Sequence, residues 1–212
     1  MTEWRRWRLK YLVRINQRAL REDTPPDFEF RYVDISCVGR GALVVEPTGV
    51  TFEAAPSRAR RLVRRGDTII STVRTYLRAV WPVEGDVDDL VVSTGFAVLT
   101  PGALIDAGFL GWWAQSDACI EEIVARSVGV SYPAINASEI GDLEIYLPPL
   151  PIQRDIAALL VDETSKIDRV VHHLGGGPSS SDESLSGLLL AKRRALITAA
   201  TTGQLDLAEV GA

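Results

Sequence analysis

A cluster of three prolines divides the chain into two parts of different character. Pro148, Pro149 and Pro151 lie within four consecutive residues, and a proline is tolerated in a helix only within its first turn. The cluster therefore predicts a boundary at which a helix begins. We expect a first domain over residues 1–147 and a helical region over residues 148–212.

The first domain has the sequence pattern of sheets followed by a helix. Phe28, Phe30 and Tyr32 alternate with polar residues, which is typical of a strand with one buried face. Three further strand-forming runs lie between turn residues, at 41–46, 67–73 and 90–99. Over residues 109–126 the apolar side chains recur at steps of three and four, which predicts a helix with a buried aromatic face. The predicted fold class is α+β, with a mostly β domain and packed helices.

The helical region carries an apolar seam at alternating steps of four and three residues. Its members are Ile156, Leu160, Ile167, Val170 and Leu174, with Glu163 as the one polar member. A Gly/Ser-rich break at residues 175–181 ends this helix, and Ser180 with Glu183 forms a capping box for a second helix. The second helix continues the seam through Leu185, Leu189 and Leu196.

Such a coiled-coil-like pair has too little core to be stable alone. We expect its seam to pack against a partner surface, either the first domain or another chain. The seam is longer than one helical hairpin can bury, which favours pairing with a second chain.

The sequence favours a cytoplasmic protein without a membrane partner. No stretch of the 212 residues is apolar enough to cross a membrane, and arginines interrupt the basic N-terminus where a signal peptide needs an apolar run. In a reducing compartment, Cys37 and Cys119 are expected as free thiols.

Charge is divided unevenly along the chain. Residues 1–80 contain 16 Lys and Arg against 9 Asp and Glu, a net charge of +7, whereas residues 81–212 carry 7 against 19, a net −12. Twenty of the 23 basic residues are arginine, whose guanidinium group pairs well with phosphate oxygens and with guanine. The division favours a nucleic-acid surface in the first part, and chance combined with solubility is the alternative explanation.

The motifs of several enzyme classes are absent from the sequence. The glycines at 175–177 lack the Lys-Ser/Thr of a phosphate-binding loop, no Gly-x-Ser-x-Gly occurs, and the only histidines are the adjacent His172 and His173. Neither Pro-Pro site has the Asp/Asn-Pro-Pro-Tyr/Phe form of an amino-methyltransferase. A metal-dependent nuclease motif is approached only at residues 27–31, where arginine replaces the expected lysine. The sequence therefore indicates a binding protein rather than an enzyme.

The strongest local signal for nucleic-acid binding lies at residues 56–78, where a predicted strand connects two arginine-rich loops. Hydroxyl groups and guanidinium groups in this segment can bond to phosphates or to base edges. The candidate DNA contacts are Arg58, Arg60, Arg61, Ser71, Thr72, Arg74, Tyr76 and Arg78. A solvated loop in a soluble β domain is the alternative interpretation.

A second candidate surface is the polar segment 126–136, which follows the predicted aromatic helix. Tyr132 can stack on a base or donate a hydrogen bond, and Asn136 can form two hydrogen bonds with adenine. Arg126 and Ser131 complete this candidate set. A capped turn is the alternative for this segment.

Segments in both parts of the chain resemble one known family. Residues 55–60 (APSRAR), the 66–74 run that begins Gly-Asp and ends Ser-Thr-Val-Arg, and 92–99 (VSTGFAVL) resemble the target recognition domain of type I restriction–modification specificity subunits. The tail segments that are similar to this family's conserved helical region are 147–153, 162–168, 192–198 and 202–206. The segments occur in the family's order and cover most of the chain.

This resemblance implies a non-catalytic subunit that reads double-stranded DNA. It would assemble with a methyltransferase subunit and a restriction/translocase subunit, and S-adenosylmethionine, ATP and Mg²⁺ would belong to those partners, with no cofactor in this chain. Family members usually carry two recognition domains separated by long helices, whereas this chain has one. It therefore resembles half a specificity subunit, which would pair with itself or with another half to read a bipartite target.

Two departures from the family pattern leave alternatives open. Gln153-Arg154 stands where the family usually has Glu-Gln, and the break at 175–181 lies where the family's helix commonly continues. One alternative is a degenerate or silent specificity cassette that keeps the fold and fails to assemble. Another is a helical protein-interaction scaffold that does not bind DNA.

Overall fold

Three sheets and five helices form the part of the chain that the structure describes. The structure is a computed structural model, and it describes residues 4–175 and 184–205. The strands are β1 (Arg5–Arg8), β2 (Val13–Ile15), β3 (Glu29–Val33), β4 (Thr48–Thr51), β5 (Ala59–Leu62), β6 (Thr68–Ser71), β7 (Val80–Pro82), β8 (Leu90–Ser93), β9 (Phe96–Pro101) and β10 (Glu144–Leu147). The helices are α1 (Ala107–Gln115), α2 (Asp117–Arg126), α3 (Ala137–Gly141), α4 (Leu150–His173) and α5 (Leu185–Thr201). The predicted α+β class is confirmed.

Two four-stranded sheets form the body of the first domain. The order of strands is β2-β9-β6-β7 in one sheet and β4-β3-β8-β5 in the other, while β1 pairs with β10. All of these pairs are antiparallel except β3 with β8. A short turn at Thr94 and Gly95 carries the chain from β8 in one sheet to β9 in the other.

The β2-β9-β6-β7 sheet is buried on both faces, and alternation of side chains explains how. In β6, Ile69 packs in the core between the two four-stranded sheets, whereas Ile70 packs on the opposite face against the helices. Phe96 and Ala97 of β9 are divided between the two cores in the same way. Since neighbouring residues of a strand face opposite sides, a strand buried on both faces is a continuous apolar run.

The predicted helix over residues 109–126 is two helices that meet at Ser116. Ser116 has extended backbone angles, with φ −64° and ψ 149°, and its hydroxyl accepts a hydrogen bond from the Cys119 N–H at 3.2 Å. Serine competes with the helical backbone for hydrogen bonds, which favours it as a cap over an interior position. Ser116 therefore ends α1 and begins α2.

The helix pair shares the core of the first domain. Ile156 and Leu160 of α4 and Ile197 of α5 belong to the same buried cluster as Phe109 and Leu110 of α1. The last strand of the described residues, β10, ends at Leu147, and α4 begins at Leu150. No separate core begins there, because α1 is covered by the sheet on one side and by the helix pair on the other.

A buried glutamine fixes the start of α4 against the first domain. The Gln153 side chain is 1% exposed. Its Oε1 accepts from the Asp106 N–H at 2.7 Å, and its Nε2 donates to the carbonyl groups of Leu104 and Pro148 at 3.1 and 2.8 Å. The amide thus has partners in the loop before α1 and at the proline cluster, which holds the start of α4 against the first domain.

The buried row of α4 differs from the predicted seam. The buried residues are Gln153, Ile156, Leu160, Thr164, Ile167 and Val171. Glu163 is half-buried, and Val170 and Leu174 are exposed. An α-helix has 3.6 residues per turn, so a stripe that faces one straight surface drifts away from a strict 3.5-residue repeat. Thr164 fits the buried row because its hydroxyl donates to the Leu160 carbonyl at 2.6 Å.

For much of the seam, this packing realises the first of the two predicted alternatives, in which the seam packs against the first domain, and it corrects the expectation that the seam is mainly for pairing with a second chain. Ile156, Leu160 and Ile167 are buried within the chain itself. Leu189 and Leu196 are half-buried, whereas Leu185, Val170 and Leu174 are exposed. Only the exposed members remain available to another chain.

The second helix begins with a different cap from the one predicted. Ser184 precedes α5, and its hydroxyl accepts from the Gly187 N–H at 2.9 Å. The predicted capping box of Ser180 with Glu183, and most of the break at 175–181, lie outside the described residues. Gly175 follows α4 with a φ of +67°, a conformation that favours glycine after a helix.

Both cysteines are buried and free, as predicted. Burial raises the pKa of the Cys119 thiol well above its ordinary value. Among the described residues, no helix is both long and apolar enough to span a bilayer.

The shared core predicts a large loss of stability when the Leu160 side chain of α4 is shortened to that of alanine. We expect Leu160→Ala to lower the free energy of unfolding by roughly 2–5 kcal/mol, because the side chain is fully buried between α4 and the first domain. Urea unfolding followed by circular dichroism measures this change. The matched control is Val44→Ala, an exposed position, with an expected change within about 0.5 kcal/mol. Equal effects of the two substitutions would contradict the shared core.

Candidate nucleic-acid interface

The two candidate loops lie against each other. Val73 and Ala134 form an antiparallel bridge, and the Ile135 N–H donates to the Thr72 carbonyl at 2.9 Å. Beside them, the Thr75 hydroxyl donates to Ser127 Oγ at 2.8 Å. Residues 73–78 and 126–136 therefore form one surface, which we call the paired-loop surface.

Two arginines of this surface have strained backbone conformations. Arg74 and Arg78 have φ angles of 51° and 54°, in the left-handed region that costs a residue with a Cβ about 1–2 kcal/mol. They flank the 3-10 turn Thr75–Leu77, whose ends are held by hydrogen bonds from Leu77 N–H and Arg78 N–H. Strain of this kind clusters at functional sites, so these positions are candidates for ligand contact.

Arg74 also joins the two loops through its side chain. Its guanidinium carbon lies 5.2 Å from the centre of the Tyr132 ring, within the range of a cation–π interaction. Tyr132 is 67% exposed. The pair therefore presents a charged group and an aromatic ring side by side to solvent.

Both loops also carry exposed apolar side chains. Val130 at the tip of the second loop is fully exposed, and Tyr76, Leu77 and Val128 are exposed as well. Gly129, with a φ of +116°, allows the tight turn that the Val128–Ala134 bridge closes. Clustered exposed apolar groups mark interaction surfaces, and here they adjoin arginine side chains.

Two of the predicted contacts are corrected by their burial. Ser71 is 2% and Thr72 9% exposed. The Ser71 hydroxyl donates to the Val73 carbonyl at 2.5 Å, and the Thr72 hydroxyl donates to the Gly95 carbonyl at 2.9 Å. Both hydroxyl groups are therefore used to hold the first loop, and neither faces a ligand.

The arginines before and within β5 are dispersed. Arg58 is exposed and lies 3.5 Å from Asp34, and its carbonyl accepts from Thr94 at the turn beside Thr72. Arg60 stacks over Phe52, 4.6 Å from the ring centre, and Arg61 is half-buried with a pKa that burial lowers. We therefore restrict the paired-loop surface to Arg74 and Arg78 among the predicted arginines of the first segment.

The second loop is organised by a capped turn, the alternative left open by its sequence. Asn136 stands at the N-cap of α3, and its N–H donates to Glu139 Oε2 at 2.9 Å. Its side chain and that of Ser131 are exposed. Arg126 is paired with Glu122 one turn earlier in α2, at 2.7 Å.

Sequence reasoning missed two charged residues beside the surface. Asp117 at the start of α2 lies 2.8 Å from Arg40 and 3.8 Å from Arg78. Neither Arg40 nor Asp117 belongs to a sequence motif, and the three residues come from distant parts of the chain. Only the fold brings them together.

Many of the basic residues in the first part are neutralised within the chain. Arg8 and Lys10 pair with Asp142, Arg6 pairs with Glu144, and Arg31 makes two hydrogen bonds with Asp89. Arg31 lowers the pKa of the Asp89 carboxyl group. Among the described residues, no cluster of three or more His, Cys, Asp and Glu side chains is arranged to hold a metal ion.

Replacement of Arg74 and Arg78 by glycine tests whether their left-handed backbone conformation lowers the stability of the folded chain. We expect Arg74→Gly and Arg78→Gly to leave the free energy of unfolding unchanged or to raise it by up to about 1 kcal/mol, because glycine relieves the left-handed strain. Thermal unfolding provides the measurement. Arg58→Gly, at a position without positive φ, should instead lower the stability, and a similar loss in all three variants would exclude strain.

Comparisons with known proteins find similarity to this chain both in sequence and in fold. No protein-family model matches the chain. The specificity subunit of the type I restriction enzyme HindI from Haemophilus influenzae is 27% identical over 116 residues, which are 53% of this chain and 25% of that protein.

Three solved structures share the fold. The crystal structure of the HsdS subunit from Thermoanaerobacter tengcongensis matches with a TM-score of 0.70 and 32% identity, covering 80% of this chain and 44% of that chain. A structure that describes complex assembly and conformational transition of the type I R-M system matches with a TM-score of 0.72 and 31% identity, covering 81% and 45%. The S subunit from M. genitalium, 15% identical with a TM-score of 0.51, covers 81% of this chain and 41% of its own, and shows the fold alone. The chain therefore spans a quarter of its curated relative and less than half of its solved relatives.

Proposed function

We propose that this chain, a homologue of type I restriction–modification specificity subunits with a single target recognition domain, recognises a specific sequence in double-stranded DNA. The observation that carries the proposal is the paired-loop surface, which lies within a fold shared with HsdS subunits at 31–32% identity. The chain would contribute recognition without catalysis. The bond-making steps would then belong to other subunits.

The chemistry of the paired-loop surface supports this function. Arg74 and Arg78 supply guanidinium groups for phosphates or for guanine, and Tyr132 supplies an exposed hydroxyl and ring. Exposed apolar groups such as Val130 suit contact with thymine methyl groups. A rigid sheet positions these loops, as is usual for binding loops on a stable scaffold.

The partners follow from the same relationship. We infer that the chain assembles with a methyltransferase subunit and with a restriction/translocase subunit in the cytoplasm. S-adenosylmethionine, ATP and Mg²⁺ would be bound by those subunits. This chain would position them by holding its half of the target.

We infer that the chain pairs with a second half. One recognition domain would read one half of a bipartite target, and a second domain would read the other half. The exposed apolar residues at the far end of the helix pair, Val170, Leu174, Leu185 and Leu188, provide a surface for that pairing. Val170, Leu174 and Leu185 belong to the seam that the sequence predicted for this role, and Leu188 is an addition to it.

Selection from random duplexes tests the proposed function. The full-length chain, produced with its methyltransferase subunit, should enrich one sequence class and bind it with a strong salt dependence, since each neutralised phosphate adds about 0.9 to the slope of log affinity against log salt concentration. Enrichment of no sequence together with salt-independent behaviour would favour the scaffold alternative. Sequence-specific binding without assembly would favour the silent cassette.

Alanine substitution tests the paired-loop surface itself. We expect Arg74→Ala and Arg78→Ala to weaken binding of the selected duplex, by about 1–3 kcal/mol for an arginine that contacts a base. Fluorescence anisotropy with selected and unrelated duplexes separates base contacts from phosphate contacts. The control is Arg31→Ala. Arg31 lies in β3, outside the paired-loop surface, and is paired with Asp89, so this variant should bind DNA as the wild type does.

Charge placed at the far end of the helix pair tests the pairing surface. Leu174→Asp and Leu188→Asp should convert a dimer to a monomer, because a buried unpaired carboxylate opposes association. Light scattering at micromolar concentration measures the mass of the particle. Val44→Asp, an equally exposed position in the first domain, should leave the dimer intact, and a wild-type monomer both alone and with the methyltransferase subunit would refute pairing.

A further inference from the structure

Asp117 occupies a junction between the paired-loop surface and the helices. It is the first residue of α2, and its Oδ1 atom is shielded from solvent. That oxygen lies 2.8 Å from Arg40 Nη1 and 3.8 Å from Arg78 Nη1. One carboxylate is thus placed between two guanidinium groups.

The two arginines differ in their burial and in their hydrogen bonds. Arg40 is 17% exposed in its side chain, and its Nε and Nη2 atoms both donate to the Gln115 carbonyl. Burial lowers the pKa of Arg40, an effect that Asp117 opposes. Arg40 is therefore a fixed structural partner of Asp117.

Arg78 is the more exposed partner of Asp117. Its side chain is 45% exposed, and a separation of 3.8 Å from Asp117 is loose for an ion pair. It ends the strained 3-10 turn of the first loop, so its guanidinium group lies where the paired-loop surface meets α2. The carboxylate holds this cation near one position without neutralising it through a close contact.

The helix pair fixes the position of Asp117 in turn. The Asp117 N–H donates to the Thr198 hydroxyl of α5 at 3.0 Å. Ser116 caps the same end of α2. The carboxylate therefore has a defined place relative to the first loop, set by residues from α2 and α5.

We propose that Asp117 is a positioning residue for DNA recognition, which restrains Arg78 so that this arginine favours the correct duplex over others. The inference rests on the proposed function. An unrestrained arginine at the surface reaches phosphates of any sequence, which raises non-specific affinity. A tethered arginine, next to a carboxylate that repels misplaced phosphates, contributes fully only where the DNA approaches in the correct register.

A double-mutant cycle tests this role. Four full-length proteins are compared: wild type, Asp117→Asn, Arg78→Ala and the double variant, each with the selected duplex and with an unrelated duplex. We expect Asp117→Asn to raise affinity for the unrelated duplex by up to about fivefold, the scale of a surface charge pair. The salt dependence should steepen by up to about 0.9 in slope, and the preference for the selected duplex should fall. In the Arg78→Ala background, the same substitution should change affinity less than about twofold, because a substitution that acts through Arg78 loses its effect when that side chain is absent.

The cycle separates a positioning role from a general change in charge. If Asp117→Asn has the same effect with and without Arg78, it acts through the overall field and the proposal is wrong. If it leaves both affinities unchanged, the proposal is wrong as well. Asp89→Asn in wild-type and Arg31→Ala backgrounds is the matched control for an ion pair outside the surface, with no expected effect on preference.

A second genetic background and a stability measurement serve as controls for the double-mutant cycle. Because Asp117→Asn leaves Arg40 without its carboxylate, the cycle is repeated in an Arg40→Met background, in which no buried cation is left unpaired. Thermal unfolding confirms that each variant is folded, and the same dependence on Arg78 must appear in this background. If the wild type itself fails to bind DNA, the proposed function fails, whereas specific wild-type binding with an additive cycle refutes only the role of Asp117.

Discussion

The arrangement of the whole chain depends on the buried amide of Gln153. A buried amide is costly unless its hydrogen bonds are made, and the three partners of Gln153 lie in the loop before α1 and at the proline cluster. The docking of α4 in this structure satisfies all three. That docking covers α1 with the helix pair and brings Thr198 of α5 to the start of α2.

The central position of β6 determines where the candidate site lies. The strand is buried on both faces, with Ile69 and Ile70 in different cores, so it cannot shift without disrupting both. Its end leads directly into the Ser71 and Thr72 hydroxyl bonds and then into the strained turn. The free energy of the core therefore holds Arg74 and Arg78 in left-handed conformations that an isolated loop would avoid.

Local patterns in the sequence predicted the elements better than the contacts between them. The proline cluster and the β-rich runs have short-range physical causes, so the α+β class and the start of α4 could be predicted. The exact buried row of α4 could not, because the choice between Glu163 and Thr164, or Val170 and Val171, depends on the surface that α4 meets. For the same reason the two candidate loops could be proposed separately, while the Val73–Ala134 bridge that joins them required the fold.

The structure changes the interpretation of the uneven charge along the sequence. A net +7 in residues 1–80 favoured a nucleic-acid surface there, yet Arg6, Arg8 and Lys10 are paired with Glu144 and Asp142 of the acidic segment 81–212. These opposite charges therefore form ion pairs between the two segments, and each pair contributes little individually. The arginines of functional interest are those with incomplete pairing, Arg74 on a tyrosine ring and Arg78 at 3.8 Å from its carboxylate. Since an unneutralised cation is what a phosphate or a guanine can attract, local pairing is a better guide to a candidate nucleic-acid surface than the net charge of a segment.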